Sequence, residues 1–448
     1  MTAVRNVSGI ANRMRRAGWH YLFGQELAVA TSTHWTTQWH PSEVIAALQW
    51  RQIRDLVAHA RAGSAFYRQR LAHSEVGPDP TPDDFRRIPP LTRRDVVSAW
   101  ATIRVGAAPA AMIRRHSGGS SGLRVEIPLD RPTYCWYIAG TWRGLRWWGA
   151  DFADRGTILL GSGSGGLRSA AVRAKDWVMN WLRVPVDRRF DQRAPEVLDR
   201  LTAFGPAFIY GYPSAVHRLA RVARDRGWRP RGQLRVIALT GEPVYAFQRR
   251  GIEEIFQCPV AEEYGNGELG CMAFQCPEGS LHVTAENVFL ETVGIEPPVE
   301  DAGGLILATQ LRNRLFPLIR YDTGDVGGLQ PGLCRCGRGL PTVRVLGRQR
   351  DRLVSSQGAT PARARVEALL SSLPESLQGR VQVAHTKPGR IVLRVELGSD
   401  SRGDLARATA AGTAVFGPDW HVGTVEVERF ARLPSGKFPY FLRLKAQG

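Results

Sequence analysis

Between His116 and Gly122 the chain reads His-Ser-Gly-Gly-Ser-Ser-Gly, three glycines and three hydroxyls in seven positions. Glycine lets backbone N–H groups approach an anion with no side chain in the way, and serine hydroxyls add donors. Ser117, Gly118, Gly119, Ser120, Ser121 and Gly122 are therefore a candidate phosphate cradle, although the same composition suits a flexible linker. A second string, Gly161-Ser162-Gly163-Ser164-Gly165-Gly166, follows the apolar run 158–160 and meets the G-x-G-x-x-G spacing of a dinucleotide-binding oxidoreductase. Any alternating Gly/Ser loop meets it too, and Asp187 is poorly placed as the acidic partner, so this string reads as structural.

Three cysteines and a histidine, Cys276, His282, Cys334 and Cys336, combine C-x5-H with a distant C-x-C. Three thiolates and an imidazole make a closed tetrahedral Zn²⁺ site, structural rather than catalytic because no coordination position stays open. The bland reading is reduced cysteines beside an unrelated histidine. Cys135 and Cys258 sit in apolar or turn contexts and are expected to pack, whereas Cys271 is close enough to Glu268 to face a site. No G-x-S-x-G elbow is present, which disfavours a Ser-His-Asp hydrolase.

The elements that must position these residues are those of an ordinary globular chain. At 448 residues the length suits two or three domains. Sixty Lys and Arg against 41 Asp and Glu give +19, which excludes an acidic tail and suits anionic partners. The arginines are dispersed without a long basic run or reader motif, so nucleic acid is not expected. Six cysteines are too few for a disulfide framework. No secretory leader is visible, and the apolar Tyr21-Leu22-Phe23 is cut by Gly24, Gln25 and Glu26, so no transmembrane segment and a cytoplasmic location are expected.

Residues 1–40 are basic, contain tryptophan and are weakly patterned: an N-terminal extension of unknown structure. From Ser42, a candidate N-cap, Ile45, Leu48, Ile53, Leu56, Val57 and Ala60 recur at helical spacing until Gly63. Apolar runs at 156–160, 207–210 and 234–239 read as buried strands alternating with helices, which predicts an α/β architecture. Further on, 390–397 alternates with Ile391, Leu393, Val395 and Leu397 on one face. Val425 and Val427 repeat that pattern after a helical run at 364–370, predicting a small α+β domain.

Within this frame lie Tyr264-Gly265-Asn266-Gly267-Glu268, Arg320-Tyr321-Asp322-Thr323-Gly324-Asp325, Gly347-Arg348 and Pro434-Ser435-Gly436-Lys437. Each alone is an ordinary turn. In this order and with the Gly/Ser loop they resemble the adenylate-forming superfamily, most closely the phenylacetate–coenzyme A ligase family. The likeness extends through Phe66-Tyr67-Arg68, Pro89-Pro90-Leu91-Thr92, Tyr210-Gly211-Tyr212-Pro213-Ser214 and Thr240-Gly241-Glu242-Pro243, and covers residues 45 to 445.

The resemblance implies a large N-terminal α/β domain (41–346), a small mobile α+β C-terminal domain (347–448), and ATP-driven conversion of a carboxylic acid, often aromatic, to an acyl-AMP. Transfer to the coenzyme A thiol would follow. An amide ligase that hands the acyl group to an amine is the main alternative, and a non-catalytic nucleotide-binding protein a weaker one. It further implies that Lys437 contacts the reacting carboxylate and α-phosphate, Glu268 binds Mg²⁺ and Tyr264 lies beside adenine. Asp325 would accept from the ribose hydroxyls, a role that suits an acceptor-only carboxylate. Gly241 and Glu242 would border adenine, and Arg348 would reach the ribose or phosphate. Some relatives carry the same Cys…His…Cys-x-Cys arrangement, there as structural zinc. The acid pocket would draw on the surroundings of Trp136, Tyr137 and Tyr212. The chain departs from the pattern at His116, at Leu123-Arg124 in place of a proline, at Gly267 in place of a threonine, and at Arg350-Asp351 in place of an acidic hinge.

Overall fold

The computed structural model describes residues 23–107, 112–116, 125–151, 154–161, 170–230, 232, 234–295, 303–356, 358–396, 401–430 and 432–444. The loop 117–122 and residues 162–166 of the second Gly/Ser string lie outside them. A hairpin of β1 (Ile113–His116) and β2 (Glu126–Leu129) brackets that first loop.

Five strands then form a parallel block, β3 (Gly156–Leu160), β4 (Trp181–Pro185), β5 (Phe208–Gly211), β6 (Val236–Thr240) and β7 (Val260–Asn266), in the spatial order β4-β3-β5-β6-β7. Parallel strands are covered on both faces, so they read as unbroken apolar runs rather than alternation. Every residue of β6 is buried. The crossovers are the helices Ala170–Val178, Phe190–Phe204, Pro213–Asp225 and Ala246–Phe256.

Beyond β7 the sheet turns antiparallel through β8 (Gly270–Gln275), β9 (Leu281–Val283), β10 (Val288–Val293), β11 (Gly304–Gln310), β12 (Tyr321–Gln330) and β13 (Thr342–Arg348). The result is eleven strands, with β8-β9-β13-β12-β11-β10 completing the order. Strand β7 is thus the seam between the two halves.

The helix Ser42–Gly63 buries Ile45, Gln49, Ile53, Leu56, Val57 and Ala60, the helical stripe expected except that Gln49 takes the buried place and Leu48 is only half-buried. Its N-cap is Pro41, which makes no side-chain cap bond, and not Ser42. Ser42 is the first helical residue, and its hydroxyl donates to Glu43 at 3.2 Å. The N-terminal region is helical over 23–37. Phe23, Leu27 and Ala30, spaced four and three apart, pack into the same core as Trp142 and Leu145.

After β13 comes a short pair, β14 (Arg352–Ser355) and β15 (Gly358–Pro361), and then a four-stranded sheet. Its strands are β16 (Val381–Lys387), β17 (Arg390–Glu396), β18 (His421–Val427) and β19 (Phe441–Arg443), in the order β18-β17-β16-β19, with helices Ala362–Ser372 and Ser401–Phe416. Ile391, Leu393 and Val395 alternate into its core as expected; Leu397 lies outside the described residues. Val425 does not repeat that burial: it is 44% exposed, because its register partner on β17 is Arg394, on the face opposite Ile391, Leu393 and Val395. Tyr245 and Phe247 from the large sheet's side enter the same apolar cluster as Val366 and Leu370.

Candidate active site

The carboxyl ends of parallel strands, where a sheet changes its connection pattern, are where α/β folds bind ligands. Here Gly161 follows β3, Tyr212 follows β5, Thr240 and Gly241 end β6, and Glu263 to Asn266 end β7. A cavity of about 400 Å³ opens there and adjoins one of about 170 Å³, the two sharing Gly241, Glu263, Gly265 and Arg348 as walls.

The smaller cavity brings together Gly241, Glu242, Tyr264, Asp325 and Arg348, five residues singled out from the sequence. Asp325 and Arg348 are register partners across β12 and β13, with Arg348 Nε 3.3 Å from Asp325 Oδ1. The Tyr264 hydroxyl donates to Asp325 Oδ2 at 3.0 Å. Burial raises the Asp325 carboxyl above its ordinary range, with Arg348 opposing, and burial beside Asp325 holds the Tyr264 phenol well above its own.

The larger cavity is lined by Lys437, Glu268, Arg348, His116, Tyr137, Tyr212 and Cys271. Glu268 is only 1% exposed. Its Oε1 accepts from Arg93 Nη2 at 2.7 Å and from the Tyr321 hydroxyl at 3.2 Å, while Tyr137 donates to its backbone carbonyl. Sequence reasoning missed Arg93. A signal was present: Thr92-x-x-Asp95 forms a capping box, which places Arg93 at the first position of the helix Arg93–Ser98. Trp136 does not line the cavity. It packs against His34, with the Arg312 guanidinium 3.5 Å from its ring centroid.

Lys437 enters from the C-terminal sheet's side. Its ammonium sits 5.6 Å from the Tyr212 ring centroid, and a Cβ on Gly241 would lie 3.3 Å from Nζ. Burial, and then Arg348, lower its pKa from the usual lysine value. The loop that carries it is seated by main-chain contacts. Glu242 Oε1 accepts from the Phe438 N–H at 2.6 Å, and Glu242 also accepts from the Ser214 N–H and hydroxyl, each at 3.0 Å. Arg432 joins Asp191 Oδ1 at 3.0 Å to the Gly436 carbonyl at 3.2 Å. A Cβ on Gly161 would collide with the Ser435 carbonyl, and one on Gly436, at φ +82°, with the Val186 carbonyl. Glu242 thus holds the lysine loop as well as lining the smaller cavity.

At the junction that follows β13, Arg350 Nε is 3.4 Å from Asp351 Oδ1, the Asp351 N–H donates to the Arg348 carbonyl, and burial raises the Asp351 carboxyl.

Away from the cavities, Cys276, His282, Cys334 and Cys336 place one ligand atom each within 4.8 Å of all the others. Cys276 Sγ is 3.7 Å from Cys334 Sγ, close to the edge of about 3.8 Å expected for a tetrahedron with Zn–S bonds of about 2.3 Å. His282 Nδ1 lies 3.2 Å from the Leu340 carbonyl, which takes the Nδ1 proton and leaves the Nε2 lone pair facing Cys336 Sγ, 3.2 Å away.

No family model matches the chain. Over 357 residues it is 28% identical to the phenylacetate-coenzyme A ligase of Thermus thermophilus, covering 75% of this chain and 77% of that one. A solved structure of 2-hydroxyisobutyryl-CoA ligase in the postadenylation state superposes with a TM-score of 0.75 at 18% identity over 91% of both chains. The same ligase in its thioesterification state, with CoA, superposes with 0.61. The fold is that of the adenylate-forming ligases. Among the described residues no helix is long and apolar enough to cross a membrane.

Proposed function

We propose that this chain, which has the fold of the adenylate-forming ligases and is similar in sequence to phenylacetate–coenzyme A ligases, activates a carboxylic acid with ATP and passes the acyl group to coenzyme A. In the first half-reaction a carboxylate oxygen bonds to the α-phosphorus of ATP as the bond to the β-phosphate oxygen breaks, giving acyl-AMP and pyrophosphate. In the second the thiol of coenzyme A attacks the acyl carbon, loses its proton, and releases AMP. The observation that carries the reading is convergence: Glu268, Asp325 and Lys437, from three separated stretches of chain, meet with Tyr264 and Arg348 at adjoining cavities.

The roles follow from donor chemistry. Asp325 would accept from the ribose hydroxyls and Tyr264 would lie beside adenine, with Gly241 and Glu242 at its border. Arg348 and the Lys437 ammonium stabilise the charge that builds on the α-phosphate and carboxylate oxygens. The loop 117–122 is proposed to wrap the outer phosphates. Glu268 fits Mg²⁺ by supplying one hard oxygen, since that ion commonly takes one or two carboxylates plus substrate phosphates and water. Bound there, the ion would offset triphosphate charge. Arg93 holds Glu268 in place.

The two-part division belongs to the same proposal; two separate sheets support it, although the larger sheet runs on through Arg348, two residues past the 346/347 boundary. The cysteine and histidine cluster is proposed as a structural Zn²⁺ site that ties β8 and β9 to the loop between β12 and β13; its sulfur spacing and locked imidazole fit that ion.

Carboxylate-dependent exchange of pyrophosphate into ATP, measured over a panel of acids, tests the activation step. Adding coenzyme A or amines then distinguishes thioester from amide formation. A folded protein that exchanges no pyrophosphate with any acid refutes the reading.

A further inference from the structure

Strand β7 carries two adjacent glutamates that point to opposite faces, as alternate residues of a strand must. Glu262 meets cations: Arg249 Nη2 lies 2.8 Å from its Oε1 and Arg363 Nη2 3.9 Å from its Oε2. Glu263 lies in the wall that the two cavities share, is 9% exposed, and among the described residues has no lysine or arginine paired to it. Hydroxyls serve it instead. Tyr210 donates to Oε1 at 2.6 Å, Thr240 to the same oxygen at 3.2 Å, and Thr141 to Oε2 at 2.9 Å.

An ionised carboxylate offers about four lone-pair positions. Three are filled here, two on Oε1 and one on Oε2, so Oε2 keeps an acceptor position, with only the weakly donating Cys271 thiol also close to the carboxyl group. Burial raises its pKa, and the hydroxyl donors oppose that rise by favouring the charged form. Cations line the same wall. Arg183 forks onto Asp176 with two bonds of 2.9 Å, and Lys175 donates to the Tyr134 hydroxyl. The surfaces around Glu263 are apolar or aromatic: Ile138, Trp142, Leu145, Ile158 and Phe208 line the same cavity. Thr240, which bonds Glu263, is followed at once by Gly241, against which the Lys437 ammonium rests. The carboxyl anchor and the lysine thus flank one stretch of chain.

Resting on the activation reading above, we propose that Glu263 is a specificity-determining residue, and that the preferred acid has a flat apolar body bearing a hydrogen-bond donor, a hydroxyl or amino group, which Glu263 accepts. A site built to hydrogen-bond a substrate group rejects the analogue that lacks it, because its own buried polar atom is then left without a partner. A methyl group fills nearly the volume of a hydroxyl or amino group and donates nothing, so it isolates this term.

The test is pyrophosphate release by the full-length protein with ATP/Mg²⁺ and benzoates and phenylacetates carrying methyl, hydroxyl or amino groups at the 3- or 4-position. The expected result is a kcat/KM for at least one hydroxy or amino acid about tenfold or more above that of its methyl counterpart. The hydroxyl and amino arms show which donor is preferred. In Glu263→Leu that ratio is expected to fall to one or invert. Glu263→Gln, closer in shape, is expected to reduce it, with ATP-induced thermal stabilisation confirming that each variant is folded. Equal use of methyl and donor-bearing acids by the parent protein, or a ratio that survives in folded Glu263→Leu, overturns the inference and leaves acid activation standing. No turnover of any acid by the folded, ATP-binding parent overturns both.

Discussion

Acidic side chains at the two ends of the cleft are furnished differently. At the nucleotide end Glu268 faces Arg93 and Asp325 faces Arg348, each carboxylate with a guanidinium within 3.3 Å. Toward the proposed acyl end Glu263, which lines both cavities, has hydroxyls and, among the described residues, no countercharge. The difference reflects what each end must receive. A polyanion needs a surface whose own negative groups are already balanced, so that arginine and lysine charge is left over for it. A carboxylate held only by neutral donors keeps its charge available to a ligand.

The largest effect expected from disturbing this contrast is at the tail. Lys437→Ala should lower carboxylate-dependent pyrophosphate exchange by about 100-fold or more while leaving ATP binding nearly intact. Exchange equal to the parent's removes Lys437 from the chemistry. Next in size, Asp325→Asn weakens an acceptor at the nucleotide end and should raise the KM for ATP by about 10- to 100-fold with little effect on the ranking of acids. A changed ranking of acids with an unchanged KM for ATP would mean that the two ends are not distinct.

A third expectation concerns pH. Lys437 stabilises charge only while protonated, and its pKa lies below the ordinary lysine value of 10.5. Activity should therefore fall as pH rises through that lowered value, earlier than an exposed lysine would dictate. The alkaline limb should be missing from the residual rate of Lys437→Ala; a limb that persists belongs to another group. The smallest effect lies outside the cleft. The purified protein should contain about one zinc per chain, and chelation should lower the melting temperature by about 3 °C, equivalent to roughly 2 kcal/mol. The preference among acids should be unchanged. A folded, metal-free preparation of the same stability removes the zinc site.

Much of this was legible from residue order. The runs at 156–160, 207–210 and 234–239 are β3, β5 and β6, because strands covered on both faces must be apolar throughout. Gly241, Tyr264, Asp325, Arg348 and Lys437 were recognisable as short motifs and do converge. What could not be read is partnership across long separations. Arg93 and Glu268 are 175 residues apart, and only the folded sheet brings them together. Nor does the pair Glu262-Glu263 announce which member turns inward. Strand alternation says that they diverge, and the place of β7 between β6 and β8, with Tyr210 of β5 and Thr141 of the helix Arg131–Trp147 reaching Glu263, decides the rest. The N-terminal helix was hidden for a similar reason: its stripe of Phe23, Leu27 and Ala30 is short and interrupted by polar residues, and its register is set by the core it lies on.

The seat of the Lys437 loop and the ring of groups around Glu263 have no member in common. The first uses Gly161, Asp191, Ser214, Glu242 and Arg432; the second uses Thr141, Tyr210, Thr240 and Cys271. Evolution can therefore swap the acid such a scaffold consumes by editing the second set alone, while the arrival of the lysine and the grip on the nucleotide are inherited unchanged.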